Sequence, residues 1–186
     1  MALAEAILVC LTEGDQSGYD VAKTFQTSIG FFWSTDHQRI YRELKKLLEQ
    51  GFVEFDEVAQ TDKPNKKIYS ITQAGENRLL EWSHEISKTA AIKDDMLVKL
   101  YALDRFDHQV IKAQILERRG AHEERLAIYR RISTSRYASL QAEDVRSMGK
   151  LMSLRLGIRT EESWIAWCDE SLSMLESMIE RTSSLT

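Results

Sequence analysis

The sequence predicts a mainly α-helical fold with a small β-hairpin, and three patterns carry that expectation. Residues 38–48 repeat apolar side chains at helical spacing, residues 52–58 and 66–71 alternate at strand spacing around a turn, and residues 151–179 repeat apolar side chains at every seventh position. The chain is expected to divide into residues 1–88, with short helices around the hairpin, and residues 89–186, which are all-helical.

The first helix is expected over Ala2 to Glu13, with Leu3, Ala6, Ile7 and Cys10 on one stripe, and Glu13-Gly14-Asp15-Gln16 breaks it. Ser17 caps a second helix, with Asp20 three residues later in a capping-box position and Tyr19, Val21, Ala22 and Phe25 within it. Phe31, Phe32 and Trp33 form an apolar plug before the third helix. Thr35 or Asp36 caps that helix, and Thr35 has Gln38 three residues on. Within it Ile40, Leu44, Leu47 and Leu48 make a buried stripe. At about 100° per residue, Gln38, Arg42 and Lys45 fall on the opposite face, flanked by Arg39 and Lys46. Gly51 sits where a left-handed C-cap is needed.

Two strands follow. Val53 and Phe55 point one way and Glu54 and Asp56 the other, while Lys67, Tyr69 and Ile71 share a face of the returning strand. Asp62-Lys63-Pro64-Asn65 supplies turn chemistry and the chain's only proline. Thr72 can cap a fourth helix through about Ile86, with Leu79, Leu80, Trp82 and Ile86 available to the core.

Helices followed by a hairpin in this order make a winged helix-turn-helix, which points to duplex DNA. Amide and guanidinium forks such as Gln38 and Arg42 match adenine and guanine edges in the major groove. Lys63, Lys66 and Lys67 sit at the wing tip, within reach of phosphate or a minor groove, although a solvated charged hairpin would look the same. Charge does not settle the matter. Residues 1–83 hold 9 Lys+Arg against 13 Asp+Glu, and the rest of the chain holds 16 of each. The DNA reading therefore rests on local placement rather than on a basic domain.

The second half changes character. A long charged helix is expected from Asp107 to Ile132, with Val110, Ile111, Ile115, Leu126, Ile128, Tyr129 and Ile132 as its apolar contacts. Gly120 within it suggests a kink or a close approach, and residues 133–144 suggest a turn. In the last segment Leu151, Ile158, Ile165, Leu172 and Ile179 are seven apart. Leu154, Cys168 and Leu175 fill the matching second row, which Glu161 and Thr182 interrupt. These eight apolar residues are expected to form a dimer seam, although a hairpin packed on residues 107–132 would show the same period. Trp164 and Trp167 adjoin it, as dimer core or as the walls of a site for a flat aromatic effector.

Composition narrows the classes. A chain of 186 residues that is 43% hydrophobic and 29% charged is globular rather than disordered, and no apolar run approaches the roughly 18 residues of a membrane span. Met1 to Leu11 is apolar but has no basic lead or small-residue cleavage site, so no signal peptide is expected. Two separated cysteines, Cys10 and Cys168, fit free thiols in a reducing cytoplasm. His37, His84, His108 and His122 lack metal-ligand spacing, no nucleotide-binding or nucleophile motif appears, and no metal, cofactor or catalysis is expected.

The chain resembles the PadR-like transcriptional regulators over essentially its whole length. The similar segments in the first half are Leu3 to Glu13 with Gly14, Ser17-Gly18-Tyr19-Asp20, Phe32-Trp33, His37 and Ile40-Tyr41-Arg42-Glu43-Leu44. They continue with Gly51-Phe52-Val53, the wing return Lys67 to Thr72, Gly75, Leu156-Gly157-Ile158 and Trp164-Ile165-Ala166-Trp167. The last two segments look like the long C-terminal extension of the family's larger members. The resemblance implies a homodimeric repressor that binds a palindromic operator and is released by a small, often aromatic, effector. It makes Tyr41 either a phosphate contact or a core residue. The expected DNA-contacting set is Ser17, Tyr19, Thr35, His37, Gln38, Arg39, Tyr41, Arg42, Lys45, Lys63, Lys66 and Lys67. Ser34 replaces a frequent proline and Gln38-Arg39 replaces a small-residue–Gln pair, so no operator sequence carries over. The acidic balance of the first half keeps one alternative, a winged-helix protein–protein adaptor without sequence-specific DNA binding.

Overall fold

The computed structural model describes residues 3–27, 35–59, 65–87, 89, 91–141 and 144–183. The Phe31-Phe32-Trp33 plug, Ser34 and the turn residues Asp62, Lys63 and Pro64 lie outside them. Two compact units divide between residues 90 and 91, two residues beyond the boundary expected from the sequence.

The first unit is built from α1 (Leu3–Leu11), β1 (Gln16–Ser17), α2 (Gly18–Thr27), α3 (His37–Glu49), β2 (Val53–Val58), β3 (Lys66–Ile71) and α4 (Gln73–Ser83). Its core joins Ile7, Leu8, Cys10 and Leu11 of α1 to Val21, Ala22 and Phe25 of α2, Ile40, Leu44 and Leu47 of α3, and Val53. The buried stripe of α3 is thus the expected one, with Leu48 half-buried beside it. Asp36, not Thr35, caps α3, accepting from the Arg39 amide at 2.7 Å. At the other end the Phe52 amide donates to the Leu47 carbonyl and the Gly51 amide to Leu48, with Gly51 at φ 72°. This Schellman arrangement satisfies the last carbonyls and turns the chain directly into β2.

The hairpin is part of a three-stranded antiparallel sheet of order β1-β3-β2. Phe55 stands opposite Tyr69 and Val53 opposite Ile71, which gives the shared face that alternation predicts. Gln16 and Ser17 pair with Tyr69 and Ile68, adding a strand that the sequence does not announce. Thr72 ends the wing: its hydroxyl donates to the Gly51 carbonyl at 2.7 Å and accepts from the Gly75 amide, capping α4. Gly75 must be small, since a Cβ there would lie 2.3 Å from the Phe52 carbonyl oxygen. The α4 helix stops at Ser83, so Ile86, 95% exposed, and Leu80 do not pack on the core as expected. Instead Arg78 anchors α4 to α1 through the buried Glu5.

The second unit holds α5 (Asp95–Tyr101), a short 3-10 turn (Leu103–Arg105), α6 (His108–Tyr137) and α7 (Val145–Ser183). The α6 helix runs five residues past Ile132, through the Ser133-Thr134-Ser135 segment that reads as a turn. There the Thr134 and Ser135 hydroxyls donate back to carbonyls of their own helix, which absorbs their competing backbone preference. Gly120 sits inside unbroken helix, and a Cβ there would have nothing within 4 Å, so no close approach requires glycine.

Met96, Ile111, Ile115, Cys168, Leu172 and Leu175 form one core cluster between α5, α6 and α7. Leu126, Tyr129, Leu151 and Leu154 are buried elsewhere in the same hairpin. Within one chain the heptad row of α7 faces α6. Leu151, Leu154, Cys168, Leu172 and Leu175 are buried within a single chain, where α6 is the partner helix of α7. Ile158, Ile165 and Ile179 are half-buried along the seam.

Glu161, which interrupts the apolar row, is only 6% exposed, and its carboxylate meets His122 Nδ1 of α6 at 2.5 Å. One buried polar pair between two long helices sets their register, because a slip by one turn would bury both groups unpaired. Glu161→Ala should therefore destabilise the second unit by about 1–3 kcal/mol, the cost of a buried polar group left without its partner. Replacing both members together (His122→Leu with Glu161→Leu) should recover most of that loss. Urea denaturation of the three proteins checks this, and equal stability of wild type and Glu161→Ala would contradict it.

Candidate nucleic-acid interface

Burial of Ile40, Leu44 and Leu47 leaves His37, Gln38, Arg39, Arg42 and Lys45 exposed on α3. Arg42 Nε donates to the Gln38 carbonyl at 3.4 Å, within the helix. Tyr41 stands between the two faces. Its ring packs over Gly18, where a Cβ would come within 2.5 Å of Tyr41 Cε1, yet the residue is 47% exposed. Tyr19 of α2 is exposed as well.

Ser17 has a different place. It is 4% exposed, and its hydroxyl donates to Asp20 Oδ2 at 2.6 Å while accepting from the Asp20 amide at 3.2 Å. This reciprocal capping box starts α2 and leaves no part of Ser17 on the outer face. Thr35 is half-buried at the approach to α3.

Asp20 is the residue that sequence reasoning placed only as a cap. It also receives Lys66 Nζ of β3 at 3.1 Å, so one carboxylate joins α2, β1 and the turn end of the wing. The Ser17 hydroxyl first, and the Lys66 ammonium second, hold its carboxyl below the ordinary range. The group thus stays ionised at neutral pH, and its cap is lost only as pH falls below that range. No local sequence signal links Asp20 to Lys66, because they are 46 residues apart. Lys66 is consequently not a bare tip charge. Lys67 lies over the Phe55 ring at 4.1 Å and near Glu57 at 4.0 Å. Lys63 lies outside the described residues.

In the second unit the two tryptophans separate. Trp167 packs on the core cluster. Trp164 lines an open cavity of about 720 Å³ with Met96, Lys99, Arg118, His122 and Arg125. Its ring is stacked on His122 (5.5 Å, 9°), carries the Arg118 guanidinium at 5.3 Å, and meets Trp167 edge-on. Arg118 in turn makes two hydrogen bonds to Asp94, the N-cap of α5, and this pairing holds the Asp94 carboxyl below its ordinary range. Asp94, Asp95 and Glu117 also line this cavity, so its wall is largely charged with one indole face.

Comparison with known proteins follows the same two-unit division. The "Transcriptional regulator PadR-like family" matches residues 7–81, and "Virulence activator alpha C-term" matches residues 92–176. The chain is 37% identical to the probable transcriptional regulator Rv1176c of Mycobacterium tuberculosis over 95% of its length and 98% of the relative's. It is 30% identical to the negative transcriptional regulator PadR of Bacillus subtilis over 94% and 97%. The crystal structure of that protein with operator DNA superimposes with a TM-score of 0.80 at 27% identity, covering 94% of this chain and 99% of that one. Its complex with p-coumaric acid gives 0.75 at 26% identity, covering 95% and 99%. The Vibrio cholerae virulence activator AphA gives 0.76 at 33% identity, with 95% and 99% covered.

Proposed function

Because the chain belongs to the PadR-like family of transcriptional regulators, we propose that it acts as a homodimeric repressor that reads a palindromic operator and leaves it when a small planar effector binds. The observation that carries the DNA reading is α3. Its apolar stripe is fully buried, so Gln38, Arg39 and Arg42 are turned outward together on a helix long enough to lie in a major groove. Support comes from the relative of similar fold whose structure holds operator DNA. In this reading Tyr19, His37, Tyr41 and Lys45 border the reading face, Lys66 and Lys67 belong to the wing, and Ser17 orders α2 from within.

The experiment is selection of bound duplexes from a randomised library, followed by affinity measurements on the selected sequence. Gln38→Ala and Arg42→Ala should each weaken binding to the selected duplex by about 1–3 kcal/mol while changing binding to random duplex little. Equal losses on both would move these residues to phosphate contacts. A library from which nothing is enriched would favour the protein–protein adaptor, which the acidic balance of residues 1–83 also suits.

Dimerisation in this reading uses a face other than the heptad row. Met148, Met152 and Leu156 recur at i, i+4 and i+8 on α7, and Met152 and Leu156 are 66% and 67% exposed. A dimer formed through this stripe carries two reading helices, the number that a palindrome requires. Met152→Glu with Leu156→Glu should sediment as a folded monomer near 21.5 kDa, where the wild type sediments at twice that mass. A doubly substituted protein that stays dimeric would place the interface elsewhere.

The effector part rests on Trp164 and its cavity, supported by the relative solved with p-coumaric acid. Trp167 contributes to the core beneath. With p-coumaric acid as the probe, wild type should release the selected duplex. Trp164→Ala should bind that duplex equally well and stay bound. Equal release of both proteins would remove Trp164 from the site.

A further inference from the structure

The cationic residues around the α3 face fall into two groups. Every described lysine on α3 and β3 has a carboxylate beside it: Lys45 with Glu49 at 3.8 Å, Lys46 with Glu43 at 3.1 Å, Lys66 with Asp20 at 3.1 Å and Lys67 with Glu57 at 4.0 Å. Arg39 and Arg42 on the same helix are in no ion pair among the described residues. On α3 the split follows position: Arg39 and Arg42 sit on its first half, Lys45 and Lys46 on its second.

The two exposed pairs, Lys45–Glu49 and Lys67–Glu57, are not struts. Exposed ion pairs contribute little to folding, and Lys45–Glu49 and Lys67–Glu57 have at least 45% of each side chain in solvent. Their effect is on the field outside the protein. A carboxylate 3–4 Å from an ammonium is far inside the roughly 8 Å screening length at physiological salt. An approaching phosphate therefore meets a nearly neutral pair. Sequence-independent affinity comes from lysine and arginine releasing counterions from phosphate, about 0.9 per phosphate neutralised. A compensated lysine forfeits most of that gain, whereas base-edge contacts from Gln38 and Arg42 keep theirs.

We propose that Glu49 and Glu57, together with Glu43 and Asp20, are specificity-determining residues: they cancel the lysines that flank the reading helix and the wing, so that random duplex is held weakly. The proposal rests on the DNA reading given above. It accounts for a DNA-facing unit with 9 basic and 13 acidic residues over positions 1–83, because the acidic excess is partly placed beside the interface itself.

Asp20 caps α2 and Glu43 is half-buried, so the test uses the two exposed members. The full chain carrying Glu49→Gln and Glu57→Gln is compared with wild type by fluorescence anisotropy on a random-sequence duplex across a salt series. The log–log salt slope of the variant should be steeper by up to about 1.8, which amounts to roughly tenfold tighter random binding when salt falls fourfold. Affinity for the library-selected duplex should rise less, so the ratio of selected to random binding falls. Adding Lys45→Gln and Lys67→Gln should restore the wild-type slope. An unchanged slope on random duplex, with a selected sequence in hand, overturns this inference alone. Failure of both proteins to enrich any sequence or to hold random duplex overturns the DNA reading and the inference with it.

Discussion

The first unit depends on burial of one stripe of α3. Ile40, Leu44 and Leu47 are essentially inaccessible and touch the cores of α1 and α2. Fully burying three large aliphatic side chains is worth several kcal/mol, at about 1.5–3 kcal/mol each. The helix therefore cannot roll. With its rotation fixed, helical geometry sends Gln38, Arg39 and Arg42 outward as a set. The ends are fixed as well: Asp36 begins the helix, and the Gly51 turn delivers the chain into β2 within two residues. Thr72 then ties the end of β3 to the Gly51 carbonyl, so wing and helix share an anchor. The geometry of the outward face follows from packing behind it, not from contacts on it.

The second unit uses the complementary strategy. Its two long helices are held by an apolar row, and the row is given its register by one buried polar pair, His122 with Glu161. Arg125 lies 3.6 Å from the same carboxylate, and Trp164 stacks on the imidazole. The cavity beside Trp164 thus adjoins the buried His122–Glu161 pair. A molecule seated there would press on the groups that set helix register.

Much of this was legible in the sequence, because the first unit is governed by short-range rules. The stripe of α3, the capping box at Ser17, the N-cap at Thr72, the Gly51 turn and the Phe55–Tyr69 face all follow from spacings of two to four residues. Strand β1 was not legible, since two residues cannot show alternation. The Asp20–Lys66 link joins positions with no local relation. In the second unit a seven-residue period announces a seam but is blind to whether the partner helix is in the same chain, and here α6 fills it. Glu161 looked like a flaw in the row because only the facing His122 explains it. Trp164 and Trp167 looked equivalent, yet a rotation of three residues puts one beside a cavity and the other in the core.

The central claim is that the outward face of α3 reads base edges in a major groove. Substituting 7-deazapurines in the selected duplex removes the N7 acceptors there and leaves backbone charge and the minor groove intact. Binding measured base by base should fall by about tenfold or more at a few clustered purines in each half-site, and Arg42→Ala should be insensitive to one of those substitutions. Unchanged affinity at every purine would place α3 outside the major groove and contradict the account.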